Sequence, residues 1–297
     1  MQVPSHVEYE RATSVEHALA LLGRPDHHVL AGGHSLIPMM KLRLAQPGVL
    51  VDLNGLAELA YIRLDGGHLR IGAMARHADL LDSAAAGGLF PIFHDAERVV
   101  ADPIVRLWGT VGGSLCQADP SEDLSAVFAA VRAIAVIRGQ DGDREVPVRE
   151  FHLGPYQTVV GPGELLAEIR VPVPGHGETG SAYEKVARRV GDWSVAAAGA
   201  VLRLDRGAVE QAGIGLTAVG AEHFVAAEAE DFLRGRPATE QNFARAASIA
   251  AEHCHPVADQ RGPQDYKRHL VAELTTRALR RASQAARAAE ATGRAAA

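Results

Sequence analysis

The sequence contains little cysteine and few aromatic side chains. Only two of the 297 residues are cysteines, Cys116 and Cys254, and aromatic residues make up 5% of the chain. Two thiols cannot build a disulfide framework. They are also too few for an iron–sulfur cluster, which normally takes about four cysteine ligands. Any iron–sulfur chemistry linked to this protein must therefore be carried by another chain.

Basic charge and long apolar runs are scarce as well. The 30 lysines and arginines are outnumbered by 36 aspartates and glutamates, which argues against a nucleic-acid-binding protein. The apolar stretch from Leu124 to Ile137 is interrupted by Arg132 and is shorter than the roughly 18 uncharged residues of a membrane span. The first residues lack the charged and apolar segments of a signal peptide. We therefore expect a soluble, cytoplasmic protein.

The organisation of the chain predicts an α+β fold. Apolar residues make up 47% and charged residues 22%, as in globular proteins, and the length exceeds that of one compact core. Strand and helix patterns alternate over a first lobe of about residues 1–56, and a mixed lobe covers 57–176. Strands followed by helices predict a separate domain over 177–285, and the alanine-rich tail 286–297 is expected to fray.

Within these regions the residue patterns predict individual elements. Helices are expected over Ser14 to Leu22, Ala78 to Ala85, Phe90 to Val100, Ala221 to Leu233, Thr239 to Cys254 and Asp265 to Ala282. A hairpin is expected where Ala133 to Arg138 and Glu145 to Val148 flank a glycine-containing turn. The run His253-Cys254-His255 has no supporting ligands at metal-binding spacing, so no metal site is expected.

Two glycine-rich segments are the most informative local features. Ala31-Gly32-Gly33-His34-Ser35 follows a predicted strand and precedes a predicted helix, and Thr110-Val111-Gly112-Gly113-Ser114 is expected to form a second loop. Paired glycines allow close approach of a ligand, and free N–H groups at a helix start favour an anion such as phosphate. Each segment alone is equally consistent with a tight structural turn. Together they suit a pyrophosphate held from two sides.

The two segments also carry a family resemblance. Residues 31–43, AGGHSLIPMMKLR, and 110–120, TVGGSLCQADP, resemble the two FAD-binding motifs of the medium subunits of molybdenum hydroxylases, which include the carbon monoxide dehydrogenase medium subunit and the FAD domain of xanthine dehydrogenase. The similarity continues through Tyr183 to Arg189, Gly191 to Ser194 and the late helix around Tyr266. It implies a two-lobed, PCMH/VAO-like FAD-binding domain followed by a C-terminal domain of a small antiparallel sheet plus helices.

The resemblance also implies which residues bind FAD. The first motif would bind the pyrophosphate and the second the flavin and ribityl side, and Asp123 would bond FAD hydroxyls. The backbone of Leu166 would meet the isoalloxazine, Lys185 would lie near its pyrimidine end, and Trp193 would cover one face. The implied set is Ala31, Gly32, Gly33, His34, Ser35, Leu36, Thr110, Gly112, Gly113, Ser114, Asp123, Leu166, Lys185 and Trp193. From the residues alone, alternatives stay open: Asp123 as a helix N-terminal acid, Lys185 as a solvated strand lysine and Trp193 as a packing residue.

The function implied by the resemblance is electron transfer. FAD on this chain would receive electrons from a small [2Fe-2S] subunit and pass them to a terminal acceptor, while a large subunit would hold the molybdopterin. A dimer of heterotrimers is expected, and no residue is assigned a catalytic role in the strict sense. Relatives commonly carry Asn where this chain has Leu107, and Trp108 is unusually bulky there. This departure leaves open a stand-alone FAD-dependent oxidoreductase acting on a small molecule; a protein that has lost FAD is a further alternative.

Overall fold

The first lobe is a small parallel α/β unit. The computed structural model describes residues 3–174 and 178–295, with side chains as far as residue 289. Its first elements in chain order are β1 (Glu8–Arg11), α1 (Val15–Leu22), β2 (His27–Leu30), α2 (Leu36–Lys41) and β3 (Val49–Asp52). The strands are parallel in the order β1-β3-β2. The Ser14 side chain accepts a hydrogen bond from the His17 amide and so starts α1 at the predicted position.

The second lobe is larger and mixes strands with short helices. Its elements are β4 (Ile62–Asp65), β5 (His68–Gly72), α3 (His77–Leu81), α4 (Ala84–Leu89), α5 (Pro91–Glu97), α6 (Pro103–Trp108), α7 (Val111–Gln117), α8 (Asp123–Ala130), β6 (Ile134–Gly139), β7 (Gly142–Pro147), β8 (His152–Gly154), β9 (Gln157–Thr158) and β10 (Leu165–Pro172). An antiparallel sheet runs in the order β4-β5-β10-β6-β7. The predicted hairpin is present as β6 and β7. The core beneath the sheet contains Phe93, Phe128 and Phe151, all fully buried.

The C-terminal domain packs a three-stranded antiparallel sheet against helices. Its elements are β11 (Glu178–Ala187), β12 (Ser194–Asp205), β13 (Ala208–Thr217), α9 (Ala227–Leu233), α10 (Glu240–Glu252) and α11 (Gln264–Ala295). The predicted α+β fold with two domains is therefore confirmed. The predicted boundary between residues 176 and 177 lies outside the described residues. None of the helices described is long and apolar enough to span a membrane.

Four of the predicted elements are wrong in detail. The expected helix over Ala78 to Ala85 is two helices, because the Ser83 side chain accepts from the Ala86 amide and starts α4. The helix expected from Phe90 begins at Pro91 and ends at Glu97. The expected second glycine loop is the first turn of α7. The helix expected from Ala221 starts at Ala227, because His223 and Phe224 have left-handed backbone angles.

The last helix extends beyond the predicted Asp265 to Ala282. We expected residues 286–297 to fray, but α11 continues to Ala295. Ala282 and Ala286 on this helix are fully buried in the core of the C-terminal domain. At Gly180 on β11, an added Cβ would lie 2.1 Å from the Ala282 carbonyl oxygen. This close approach buries Ala282 and Ala286, whereas residues 287–289 are exposed, so packing supports the helix up to Ala286.

The two domains meet over a close helix–sheet contact. Helix α8 packs on β13, where an added Cβ at Gly213 or Gly215 would lie 2.0 Å from a carbonyl oxygen of α8. The buried Glu230 of the C-terminal domain accepts hydrogen bonds from Arg132 and Arg149 of the first domain. These contacts hold β11 and β12 beside the second lobe and so position their residues at the cavity between the domains.

Candidate functional site

A cavity of about 570 Å³ lies where the two lobes and the C-terminal domain meet. The first lobe contributes residues 31–36, the second contributes the start of α7 and parts of α3 and α6, and the C-terminal domain contributes Lys185 and residues 191–193. Of the fourteen predicted site residues, twelve line this cavity: Ala31, Gly32, Gly33, His34, Ser35, Leu36, Thr110, Gly113, Ser114, Asp123, Lys185 and Trp193. The volume is in the range of sites for small molecules and cofactors.

The first glycine motif lines one side of the cavity with its backbone. In the described part of the chain, none of the amides of residues 32–36 donates a hydrogen bond to a protein acceptor. Gly32 packs so closely on α6 that an added Cβ would lie 2.3 Å from the Trp108 carbonyl oxygen, and Gly33 has a φ of +73°. Both positions require glycine. The motif therefore offers a row of free N–H donors at the start of α2.

The second motif lines the cavity from the start of α7. The Thr110 side chain accepts from the Gly113 amide at 3.1 Å, which caps the helix and holds Thr110, Gly113 and Ser114 at the cavity wall. Gly112 points elsewhere: an added Cβ would lie 2.5 Å from the Ala73 Cβ. Gly112 therefore allows close packing of α7 on the second lobe and does not line the cavity.

Asp123 is the centre of a buried polar cluster at the cavity. Its Oδ1 accepts from the Tyr183 hydroxyl at 2.7 Å and from the Ser194 hydroxyl at 2.8 Å. Its Oδ2 lies 2.7 Å from the Lys185 Nζ, which also donates to the Val99 carbonyl at 3.2 Å. Burial and the Asp123 carboxylate raise the pKa of Tyr183 well above its usual value, so this hydroxyl remains a donor. Lys185 is thus a buried, paired lysine and not a solvated one.

The remaining two predicted residues occupy different environments. Trp193 is the last residue of the β11–β12 connection and lies at the cavity with 43% of its surface exposed. Leu166 pairs with Ile137 inside the five-stranded sheet and is buried in the core of the second lobe. It does not line the cavity in the described structure, so the fold does not bring Leu166 together with the other predicted site residues.

Several cavity residues were not predicted from the sequence. His77 is 3% exposed, and its two ring nitrogens lie 3.0 Å from the Glu97 carboxylate and 3.2 Å from the Ser114 hydroxyl. Glu122 accepts from the Leu124 and Ser125 amides at the start of α8. Burial raises the pKa of Glu122 to about 7. An acid just before a helix is a recognisable cap signal, whereas His77 and Glu97 carry no signal because their partners are distant in sequence.

The cavity has the donors and surfaces that FAD requires. The free amides of residues 32–36 suit a pyrophosphate, since such groups bind anions. The partly exposed indole of Trp193 offers a surface on which an aromatic ring can stack. Asp123 and Ser114 supply an acceptor and a hydroxyl of the kind that bind sugar or ribityl oxygens. The residues present therefore fit the cofactor. In the described structure no group of three or more His, Cys, Asp or Glu side chains is arranged to hold a metal ion.

Comparison with protein families divides the chain in the same way as the fold. Residues 5–174 match the family described as the FAD binding domain in molybdopterin dehydrogenase. Residues 181–282 match the family described as the CO dehydrogenase flavoprotein C-terminal domain. The two matches together span the cavity and both of the domains that form it.

Individual relatives agree over nearly the whole chain. The carbon monoxide dehydrogenase medium chain of Hydrogenophaga pseudoflava is 40% identical over 93% of this chain and 97% of its own length. A solved structure of carbon monoxide dehydrogenase from the same organism matches with a TM-score of 0.92 and 41% identity, over 95% of this chain and 99% of that one. A structure of quinoline 2-oxidoreductase from Pseudomonas putida 86 matches with a TM-score of 0.89 and 32% identity, over 96% and 99%. The chain therefore belongs to the family of FAD-binding domains of molybdopterin dehydrogenases, joined to a carbon monoxide dehydrogenase flavoprotein C-terminal domain, and it is an oxidoreductase component whose cofactor is FAD.

Proposed function

We propose that this chain is the FAD-carrying electron-transfer subunit of a heterotrimeric molybdenum hydroxylase in the cytoplasm. Its partners would be a small [2Fe-2S] subunit and a large molybdopterin subunit, assembled as a dimer of heterotrimers. The observation that carries the proposal is the cavity at the meeting point of both domains, which is lined both by free backbone donors and by the Asp123–Lys185 pair. The similarity to medium chains of such complexes supports it.

The chain's own residues would bind and orient the cofactor. Bound FAD accepts electrons and releases them to an acceptor, and the protein supplies orientation and electrostatics. The amides of residues 32–36 would hold the pyrophosphate, and Thr110, Gly113 and Ser114 would contact the ribityl and flavin side. Trp193 would exclude water from one face of the ring. Lys185, paired with Asp123, would place a partly neutralised cation beside the site. None of these groups needs to exchange a proton with a substrate.

The substrate chemistry would take place on the large subunit. The chain has only two cysteines, Cys116 and Cys254, so the clusters that deliver electrons must belong to another chain. Cys254 is buried, whereas Cys116 is exposed at the cavity. The proposed division of labour leaves this chain with a single redox group.

Purification of the tagged chain together with its genomic neighbours tests the proposal. We expect a yellow complex that contains FAD, iron, acid-labile sulfide and molybdenum in fixed ratio, with the flavin reduced when the substrate of the large subunit is added. A chain that binds no FAD, even when FAD is supplied, would contradict the cofactor assignment. A chain that binds FAD, purifies without iron or molybdenum and oxidises a small molecule alone would support the stand-alone oxidoreductase instead.

A further inference from the structure

A buried three-residue chain of hydrogen bonds ends at the cavity wall. Both carboxylate oxygens of Glu97, at the end of α5, lie 3.0 Å from the His77 Nδ1. The His77 Nε2 lies 3.2 Å from the Ser114 Oγ, and both His77 and Ser114 line the cavity. The three residues come from three helices, α5, α3 and α7. Glu97 does not itself reach the cavity.

Burial determines where the proton on His77 Nδ1 must lie. Glu97 is 0% exposed and His77 is 3% exposed. A buried carboxylate requires a hydrogen-bonded partner, and both Glu97 oxygens contact the same imidazole nitrogen. Burial raises the pKa of Glu97, whereas the neighbouring His77 acts to lower it. With Glu97 ionised, the Nδ1 must carry the proton and donate it, because a carboxylate can only accept. The state of the opposite nitrogen, Nε2, then decides how Ser114 can bond.

A serine hydroxyl has one proton to donate and can also accept. When His77 Nε2 is protonated it donates to the Ser114 oxygen, so the Ser114 proton must point away from His77. Ser114 Oγ has His77 as its protein partner in the described structure, and its open side is the cavity. The hydroxyl is then a donor toward the cavity. When Nε2 is unprotonated it accepts the Ser114 proton, and the hydroxyl presents only lone pairs.

We propose that Glu97 acts through His77 to hold the Ser114 hydroxyl as a hydrogen-bond donor toward an oxygen of bound FAD. His77 and Glu97 are thus positioning residues, and Ser114 is the group that contacts the cofactor. The inference rests on the proposed FAD site. It adds that Glu97 and His77 determine whether the Ser114 hydroxyl donates or accepts the hydrogen bond to FAD. The only chemical change involved is the exchange of a proton between the His77 Nε2 and water.

The charges around His77 favour the protonated ring. Burial alone would lower the pKa of His77, but the charge of Glu97 and the hydrogen bond to it outweigh that effect and raise the pKa. Glu122 and Asp123 at the start of α8 act in the same direction. Arg106 on α6 faces Glu97, and Lys185 on β11 is paired with Asp123.

A second buried serine–histidine pair in the described part of the chain has no carboxylate on its histidine. The Ser125 Oγ lies 3.2 Å from the His152 Nε2, the same distance as in the Ser114–His77 pair. The His152 Nδ1 has no hydrogen-bond partner in the described structure, and neither Ser125 nor His152 lines the cavity. Burial lowers the pKa of His152 to about 4. The two pairs differ in two respects: His77 has a carboxylate on the far side of its ring, and the His152 Nε2 also lies 3.2 Å from the Leu115 carbonyl oxygen.

FAD titrations of the full-length chain, stripped of flavin, test the inference. The dissociation constant is measured by quenching of flavin fluorescence at pH values across the histidine range. We expect wild-type affinity to fall as the pH rises through the pKa of His77, which is followed independently by NMR of labelled histidine. Ser114→Ala leaves His77 and Glu97 in place. It should weaken FAD binding about three- to tenfold at the acidic end of the range and remove the histidine-linked part of the pH dependence.

Substitutions at the other two positions give distinct signatures. His77→Gln keeps an N–H donor near the position of Nε2, so affinity should stay close to wild type but without the His77-linked pH dependence. Glu97→Gln removes the charge that stabilises the imidazolium, so the midpoint should move to lower pH. Glu122 also lines the cavity and has a pKa of about 7, so each titration is repeated with Glu122→Gln to subtract its contribution.

Ser125→Ala and His152→Gln serve as controls and should leave the wild-type curve unchanged. Equal affinity and equal pH dependence in wild type and Ser114→Ala would overturn the inference while leaving the FAD site intact. A wild-type chain that binds no FAD at any pH would instead overturn the proposed function. If His77→Gln fails to fold, the inference is still tested, because it is decided by the comparison of wild type with Ser114→Ala.

Discussion

The Lys185 Nζ and the Asp123 Oδ2 lie 2.7 Å apart and join the C-terminal domain to the FAD-binding domain at the wall of the cavity. Both side chains are about 5% exposed. Their separation of 62 residues along the chain means that the pair forms only when the two domains are docked. Removing a single partner leaves the other charge buried and uncompensated.

Breaking this pair should therefore destabilise the protein strongly. Asp123→Ala should lower the free energy of unfolding by about 3–5 kcal/mol, because Lys185 is left buried and unpaired. The double variant Asp123→Ala, Lys185→Met should recover part of that loss, since no charge remains buried. Urea denaturation followed by circular dichroism measures both. A single variant as stable as wild type would show that water reaches Lys185 when Asp123 is removed.

The packing of Gly32 on α6 predicts a sharp steric effect. Gly32→Ala should lower the free energy of unfolding by about 1–3 kcal/mol, because the new Cβ would meet the Trp108 carbonyl oxygen at 2.3 Å. FAD binding should weaken with it, since the first motif must shift. Gly88→Ala in α4 is the matched control: nothing lies within 4 Å of its added Cβ, and alanine favours a helix. Thermal unfolding and FAD titration should separate the two variants clearly.

The two tryptophans should differ in their effect on FAD affinity. Trp193→Ala should weaken binding about tenfold, because stacking on an aromatic ring contributes about 0.5–1.5 kcal/mol beyond the area it buries. Trp193→Phe should retain most of the affinity. Trp108→Ala should change it little, since the Trp108 side chain is 56% exposed and does not line the cavity. Equal losses for Trp193→Ala and Trp108→Ala would show that Trp193 has no special contact with the cofactor.

The burial of His152 should make the protein less stable in acid. Its pKa is lowered from 6.5 to about 4 by burial, so the unfolded chain binds a proton that the folded protein resists. Stability should therefore be fully present above pH 6.5 and fall by up to about 3 kcal/mol as the pH falls through 6.5 to about 4. His152→Gln should remove this part of the pH dependence in denaturation experiments, and substitution of the exposed His6 by Gln should retain it. An unchanged acid profile in His152→Gln would assign the effect to other groups.

Local sequence patterns predicted those parts of the cavity wall that depend only on the conformation of neighbouring backbone residues. A strand, paired glycines and a helix start require only neighbouring residues, so the pattern over Ala31 to Leu36 predicted this local structure, and the family resemblance predicted that it binds the cofactor. The same holds for the strands of the C-terminal domain. The second motif was predicted as a loop, because glycines usually interrupt helices. Packing of Gly112 against Ala73 allows the helix α7 to form there.

Contacts between distant residues could not be predicted in this way. His77 and Glu97 are 20 residues apart, and His77 and Ser114 are 37 apart. Nothing in the local pattern distinguishes these residues from ordinary helix-terminal side chains. The sheet register places the Leu166 side chain in the core of the second lobe, and the predicted contact of its backbone with the isoalloxazine stays a prediction.

The sequence by itself indicated the family through the resemblance of its two glycine motifs to known ones. It also excluded an iron–sulfur cluster on this chain, because that depends only on the number of cysteines. The tertiary structure alone decided that Lys185 neutralises Asp123, that Gly112 packs inward and that Glu97 reaches the cavity through His77 and Ser114. Such pairings arise because buried charges and donors must find partners wherever the fold brings them together, regardless of their distance along the chain.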